Sequence, residues 1–172
     1  MIDVKLQDAI NKQINYELYS GYIYLSMSAK FGELGMAGGQ SWMHVQFQEE
    51  LAHAQFLFDY LIQRNGKVEL GAIKKPPVEW DGPLAMFVDA YEHEQKVTGR
   101  INDLVDLALK VKDHTTVQFL NWFLKEQVEE EATASDMCDK LKLVADTPAG
   151  LYELDKEWAA RVFNPPVGPM GA

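Results

Sequence analysis

Four stretches of this chain have the apolar spacing of a helix that faces a bundle core, and each carries a glutamate near its middle. Apolar residues recur at intervals of three and four around each glutamate, which is the stripe that an amphipathic helix buries. A buried carboxylate without a counter-charge is strongly destabilising. The pattern therefore predicts an all-α four-helix bundle that binds cations in its core, at Glu17, Glu50, Glu94 and Glu130.

An imidazole lies one turn after the second glutamate. His53 follows Glu50 at i+3, so the two side chains share a helix face. Carboxylate oxygens with an occasional imidazole nitrogen suit iron and similar metals. Four carboxylates around two divalent ions are electrically neutral, which favours a buried dinuclear site with Glu50 as the bridge. Gln127, one turn before Glu130 on the same stripe, belongs to this predicted site.

The two halves of the predicted site are not equivalent. Glu130 is followed at i+3 by Thr133, whereas a symmetric di-iron bundle supplies Glu-x-x-His twice. One ion then has a Glu/Glu/His set and the other has only carboxylates, so we expect the second ion to be labile. Labile binding suits a storage protein better than an oxygenase that retains its metals. Tyr24, two turns after Glu17, is placed to hydrogen-bond a carboxylate or to donate an electron.

More acidic residues lie beside the predicted centre. Glu49 precedes Glu50, and Glu126 and Glu129 share one side of the fourth helix with Glu130. Repulsion between like charges at this spacing is unfavourable unless cations or solvent compensate for it. The spacing alone fits a further cation site and a hydrated surface patch equally well.

Glycine, proline and asparagine mark the ends of the helices. The pattern predicts a first helix over about 4–33 that stops at the Gly-rich stretch 35–39, and a second helix that follows this stretch to about 64. It predicts further helices over about 83–111, 115–144 and 149–162. The connection over 66–83 is long enough to cross the bundle, which makes the second and third helices parallel. Its apolar residues favour a packed segment over a disordered linker. We expect one domain over 1–165 and a flexible tail over 166–172.

Composition excludes several classes of function. The net charge of −10 argues against a nucleic-acid surface, which needs the opposite sign, and suits the attraction of cations. No apolar run reaches the length of a membrane span, and the helical pattern begins without a signal peptide. The single cysteine, Cys138, excludes an internal disulfide framework and a cysteine-rich metal site. We therefore expect a cytoplasmic protein with no nucleic-acid partner and no membrane partner.

Four motifs make the chain resemble the prokaryotic non-haem ferritins over residues 1 to about 165. They are NYELYS at 15–20, QEELAHA at 48–54, YEHE at 91–94 and EQVEEE at 126–131, joined by the Pro-Pro to Trp80 crossover. The resemblance implies a ferritin-like four-helix bundle with one long crossover and a short fifth carboxyl-terminal helix. It also implies a ferroxidase centre that oxidises Fe(II) to Fe(III) with dioxygen or peroxide.

Carried onto this sequence, the resemblance implies a role for each site residue. The first iron is held by Glu17, Glu50 and His53, and the second by Glu50, Glu94 and Glu130, with Gln127 nearby. A third iron site maps onto Glu49, Glu126, Glu129 and Glu130. Tyr24 and Trp122 match aromatic residues that supply electrons during oxygen reduction.

The resemblance further implies a hollow homo-oligomeric shell of 24 subunits that stores ferric oxide and binds no haem. Bacterioferritins typically carry the second Glu-x-x-His and a haem-ligating methionine, where this chain has Leu51-Ala52. Rubrerythrin-like proteins need a Cys-x-x-Cys site, and mini-ferritins lack the fifth helix. The polar pore of such a shell maps near Asp113 and His114, which fit a turn and helix cap about as well.

Two other functions stay open at this point. A di-iron oxidase or peroxide-detoxifying enzyme would use the same ligands but retain its metals permanently. A purely structural bundle would use the polar core to specify register. The number of Fe(II) ions taken up by each chain separates these functions from storage.

Overall fold

The computed structural model describes residues 2–144 and 147–170, and these residues form five α-helices and no strand. The helices are α1 (Val4–Glu33), α2 (Ala37–Gln63), α3 (Pro83–Lys110), α4 (His114–Val144) and α5 (Pro148–Trp158). Asp3 caps α1 by accepting hydrogen bonds from two backbone N–H groups of its first turn. Prolines occupy the first turns of α3 and α5, where their missing N–H costs nothing. The all-α fold predicted from the sequence is confirmed.

Contacts between helices fix their directions. Ser28, near the end of α1, donates a hydrogen bond of 2.8 Å to the Gln40 carbonyl near the start of α2. Arg100, in the second half of α3, donates one of 2.9 Å to Gln13 in the first half of α1. Earlier in α3, Glu94 accepts a hydrogen bond from Tyr24, which lies later in α1. Helix α1 is therefore antiparallel to both α2 and α3, and α2 and α3 are parallel. This is the topology with one long crossover.

The crossover over residues 64–82 has no helix or strand and packs along α1. The side chain of Asn11 donates to the Lys67 carbonyl at 2.9 Å. Further along α1, the side chain of Ser26 donates to the Pro77 carbonyl at 2.6 Å. These bonds satisfy backbone carbonyls that a strand or helix would otherwise satisfy. Hydrogen bonds therefore hold the connection along α1, whereas most of the apolar residues on which the prediction of a packed segment rested are exposed, Leu70 by 59%, Val78 by 51% and Ile73 by 37%.

Two apolar clusters fill the bundle, one towards each end, and a polar layer separates them. One cluster includes Leu6, Ile10, Leu57, Ile101 and Leu120. The other includes Phe31, Met43, Phe87, Leu141 and Trp158. The buried polar side chains include Gln13, Glu17, Gln46, Glu50, His53, Glu94 and Gln127.

Within the described residues, no helix is long and apolar enough to cross a membrane.

Helix α2 begins at Ala37, inside the Gly-rich stretch that was expected to precede it. Gly38 and Gly39 lie inside the helix, at positions where their neighbours leave no room for a side chain. A Cβ at Gly38 would lie 1.7 Å from the carbonyl oxygen of Asp155 on α5. The Asp155 carboxylate also accepts the Gly39 N–H at 2.8 Å. The two glycines therefore form the docking surface for α5.

Helix α5 ends at Trp158, before the predicted end at residue 162. The N–H groups of Ala160 and Arg161 bond three residues back at 3.1 Å, which tightens the last turn and ends the helix. The chain then runs along α2, where a Cβ on Gly168 would lie 2.7 Å from the Phe56 ring. The flexible tail over 166–172 stays a prediction, and its last two residues lie outside the described residues.

Candidate metal centre

The helices place the predicted site residues at one level of the bundle, in the polar layer between the apolar clusters. Helix α1 provides Glu17, α2 provides Glu50 and His53, and α3 provides Glu94. These four side chains are at most 3% exposed. Glu130, from α4, is partly exposed and lies at the edge of the layer. All five residues were predicted from the sequence, and the fold gathers them in one place.

Glu17, Glu50 and His53 form the most compact group. Each offers one ligand atom, and the three atoms lie within 4.8 Å of one another. Among the described residues, no other group of three His, Cys, Asp or Glu side chains is as compact. The Nδ1 atom of His53 is 3.7 Å from a Glu50 oxygen. Gln13 donates to Glu17 Oε1 at 2.8 Å, but Glu17 Oε2 is buried without a hydrogen-bond partner. An orphaned carboxylate oxygen beside an imidazole fits a metal ligand.

The carboxylates predicted for the second ion are held by amide groups. Gln46 Nε2 donates to Glu130 at 2.7 Å and also reaches Glu50 Oε1 at 3.5 Å. Gln127 Nε2 donates to Glu94 Oε2 at 3.1 Å. This set does not form a group as compact as the first one. A looser set of carboxylates is the arrangement expected for a labile second ion.

Burial and mutual repulsion raise the pKa values of these carboxyl groups. Burial, reinforced by the charge of Glu50, raises the pKa of Glu17 and of Glu94 to about 8. Burial and the charge of Glu94 raise the pKa of Glu130 to about 8. For Glu50, burial and the charge of Glu130 hold the pKa well above its usual range. Without a metal the centre therefore keeps protons at neutral pH, and incoming cations must displace them.

Two aromatic side chains contact the predicted ligands. The phenol of Tyr24 donates a hydrogen bond to Glu94 Oε1, and burial raises its pKa well above the usual range. The Trp122 ring lies 5.5 Å from the His53 ring, centroid to centroid, at an interplanar angle of 79°. Both side chains therefore lie beside predicted ligands, and their role as electron donors stays a prediction.

The other acidic residues surround an opening beside the centre. Glu49, Glu126, Glu129 and Glu130 line a cavity of about 220 Å³, and His53 lines it as well, so the cavity leads to the centre. The four carboxylates do not form a compact ligand group. Glu49 is paired with Arg161, at 2.5 Å between Oε2 and Nη2, and Glu129 lies 3.6 Å from Lys125.

Sequence reasoning missed three polar residues that contact this region. Gln13 and Gln46 lie one turn before Glu17 and Glu50, at the i, i+4 spacing that brings side chains together on a helix. That spacing was a usable signal, because both glutamines interrupt apolar stripes. Arg161 had no such signal, because it lies in an irregular segment whose path only the fold determines.

The structure gives Asp113 two contacts within its own chain. Its Oδ1 atom accepts the Thr116 N–H at 3.0 Å, which caps the start of α4. Its Oδ2 atom pairs with Arg64 at 2.7 Å. The helix-cap interpretation accounts for these contacts, and a pore role for Asp113 and His114 stays a prediction.

Comparison with known proteins agrees with the fold and with the polar layer. The sequence model of the ferritin-like domain matches residues 7–144. A bacterial non-heme ferritin from Bacteroides fragilis is 44% identical over 161 residues, which cover 94% of this chain and 100% of that protein. One from Staphylococcus saprophyticus is 39% identical over 164 residues, 95% of this chain and 98% of that protein.

Solved structures give the same result in three dimensions. An open-pore ferritin from the hyperthermophilic archaeon Archaeoglobus fulgidus superimposes with a TM-score of 0.93 at 49% sequence identity. The match covers 94% of this chain and 100% of that one. Sequence and fold agree over nearly the whole length. The chain therefore belongs to the ferritin family.

Proposed function

We propose that this protein is an iron-storage ferritin that oxidises Fe(II) to Fe(III) at a dinuclear ferroxidase centre. The observation that carries the proposal is the buried group of Glu17, Glu50 and His53 with an orphaned carboxylate oxygen. Membership of the ferritin family and relatives named bacterial non-heme ferritin support it. Iron is here both the substrate and the stored cargo.

The first Fe(II) binds Glu17, Glu50 and His53, and the second binds Glu50, Glu94 and Glu130. Glu50 bridges the ions, because its carboxylate belongs to both sets. Each ion displaces protons from carboxyl groups whose pKa values are raised in the empty centre, to about 8 for Glu17, Glu94 and Glu130 and well above the usual range for Glu50. Four carboxylates then neutralise two divalent ions, and the ions offset the repulsion among the carboxylates.

Oxidation needs an electron acceptor and a way out for the product. Each Fe(II) gives one electron, and dioxygen or peroxide accepts a pair from the two neighbouring ions. Tyr24, hydrogen-bonded to Glu94, and Trp122, beside His53, are placed to supply further electrons. The looser second set releases Fe(III) towards the cavity that Glu130 and His53 line.

A third iron site on Glu49, Glu126, Glu129 and Glu130 belongs to the same proposal, as does a shell of 24 subunits. The cavity of about 220 Å³ supports the site, and the ferritin relatives support the shell. Light scattering at micromolar concentration tests the assembly, since a monomer or dimer would contradict it. A cytoplasmic location stays an expectation of the sequence.

Fe(II) titration separates storage from the two other functions. Under anaerobic conditions, we expect saturable binding of two to three ions per chain. Under air, a storage protein takes up iron far beyond that number, whereas a metal-retaining oxidase stops near two ions and a structural bundle binds none. A Glu50→Ala variant is the control, because loss of the bridge should abolish rapid oxidation. Uptake under air that stops near two ions would contradict storage.

A further inference from the structure

The chain beyond α5 closes one side of the third acidic cluster. Helices α2 and α4 contribute its glutamates to the cavity wall, and the C-terminal segment (residues 161–170) contributes Arg161, Asn164 and Pro166. This segment has no helix or strand, and it continues along α2 as far as Phe56. Side-chain contacts rather than a backbone ladder therefore hold it against the bundle.

Arg161 makes the charged contact among these. Its Nη2 atom pairs with Glu49 Oε2 at 2.5 Å, and the two side chains are only 23% and 21% exposed. Its guanidinium carbon lies 4.2 Å from the centroid of the Trp42 ring, and Nη1 donates weakly to the Trp42 carbonyl at 3.5 Å. A guanidinium keeps its charge in proteins, and a charge-assisted bond of this kind is among the stronger ones. Arg161 is thus a permanent cation at the edge of the cluster.

A metal ion and Arg161 need the same carboxylate. An ion between Glu49 and the glutamates of α4 would lie beside a guanidinium of the same sign, in a partly buried place where repulsion is poorly screened. The two cations therefore compete for Glu49. Loss of the Glu49 contact would also remove the charged contact that holds the C-terminal segment on α2.

We propose that Arg161 is the counter-ion of the empty third site: it holds Glu49 until a third metal ion binds, and its displacement frees the C-terminal segment from α2. This inference rests on the third iron site of the proposed function. The segment acts as a flap over the cavity, and it opens when iron reaches Glu49. Occupancy of the third site and position of the flap are then coupled, each changing the other by the same factor.

Calorimetric titration of the metal-free protein with Zn(II) tests the competition without redox chemistry. Zn(II) accepts carboxylate and imidazole ligands. In Arg161→Gln, the third binding step should be about tenfold tighter, with the first two steps unchanged. Lys156→Gln is the matched control, because it removes one positive charge from an exposed pair within α5. We expect it to titrate like wild type.

A spin label on the segment tests the flap in a chain that keeps Arg161. Val167 is 71% exposed and suits a Val167→Cys label, in a Cys138→Ala background that leaves one thiol. The label should become more mobile between the second and the third equivalent of Zn(II). In a chain that also carries Arg161→Gln, it should be mobile from the start.

The outcomes distinguish this inference from the third iron site on which it depends. A third binding step that is unchanged or weaker in Arg161→Gln would overturn the competition for Glu49 but would not contradict the third site. A label that does not respond to the third equivalent would overturn the flap. Saturation of every variant at two ions would remove the third site, and this inference with it, but not the dinuclear centre.

Discussion

Neutral amide donors hold the carboxylates of the centre. Gln13 donates to Glu17, and Gln46 donates to Glu130 and reaches Glu50. A glutamine satisfies carboxylate lone pairs without adding a charge, so it orients a ligand and leaves the metal as the only strong counter-charge. The carboxylates are thus positioned before any ion arrives.

Gln46 should be needed for fast oxidation although it is not a predicted ligand. Gln46→Met keeps the length of the side chain but removes the donor to Glu130 and Glu50. We expect the initial rate of Fe(II) oxidation, measured by stopped-flow absorbance, to fall about 10–100-fold. Gln55→Met is the control, since Gln55 is an exposed residue of the same helix and donates to Asp59 rather than to a predicted ligand. Equal rates in the two variants would rule out a positioning role.

The ligands themselves should differ in importance. His53→Ala should abolish rapid oxidation, because it removes the only nitrogen ligand of the first ion. Glu129→Gln should leave the first turnover largely intact and change later turnovers, since Glu129 is 64% exposed and lies outside the compact group. Comparing the initial burst with steady-state uptake measures both effects. An equal loss of burst rate in the two variants would contradict this ranking.

At the scale of elements, α5 positions the C-terminal segment and depends on glycine to do so. The carbonyl oxygen of Asp155 fits against Gly38, and its carboxylate accepts the Gly39 N–H. Trp158 then packs into the apolar cluster at that end of the bundle. The chain that follows leaves the helix beside α2, where Arg161 meets Glu49.

Gly38→Ala should loosen α5. The new Cβ would lie 1.7 Å from a backbone oxygen, so the helices must move apart. We expect a loss of about 1–3 kcal/mol in the free energy of unfolding, measured by chemical denaturation of the metal-free protein. Gly99→Ala is the matched control, because its new Cβ would point into open space and alanine is the better helix former. Equal stability of the two variants would contradict the proposed docking.

At the scale of the whole molecule, two apolar clusters flank one layer of buried carboxyl groups. The clusters stabilise the fold, while the metal-free layer opposes it, because its carboxyl groups lose hydration on burial and repel one another when they ionise. Metal binding to the folded state relieves this cost and raises the melting temperature by mass action. Stability and iron binding are therefore linked.

The metal-free protein should lose stability as the pH rises. The pKa of Glu17 and of Glu94 is about 8 in the folded state against an ordinary value of 4.5. Between these values the folded state binds more protons than the unfolded state, so the free energy of unfolding falls with pH. This contribution is fully present below pH 4.5 and is lost as the pH passes about 8.

A Glu94→Gln variant checks that pH dependence. It removes one titrating group, so its melting temperature should fall less than that of wild type between about pH 5 and about pH 9. It should also lose metal affinity. Calorimetric melting in a chelating buffer measures the stability. A variant that melts well below wild type at high pH would instead assign Glu94 a structural role with Tyr24 and Gln127.

The sequence predicted the fold class and the family, and both are confirmed, because helical periodicity and the motifs are local. It also named the glutamates and His53 that the bundle gathers in its polar layer. Contacts between distant elements could not be predicted in this way. Gly38 was assigned to a helix stop, since nothing in its neighbourhood indicates that α5 docks there. Arg161 lies in a segment without periodicity, so its pairing with Glu49 depends on the complete fold.

The central claim is that four helices hold two iron ions with the predicted ligands. Anomalous diffraction at the iron edge, from crystals soaked anaerobically in Fe(II), tests it most directly. We predict two peaks in each chain, one bound by Glu17, Glu50 and His53 and a weaker one bound by Glu50, Glu94 and Glu130. Peaks confined to surface carboxylates, with none between the helices, would contradict the claim.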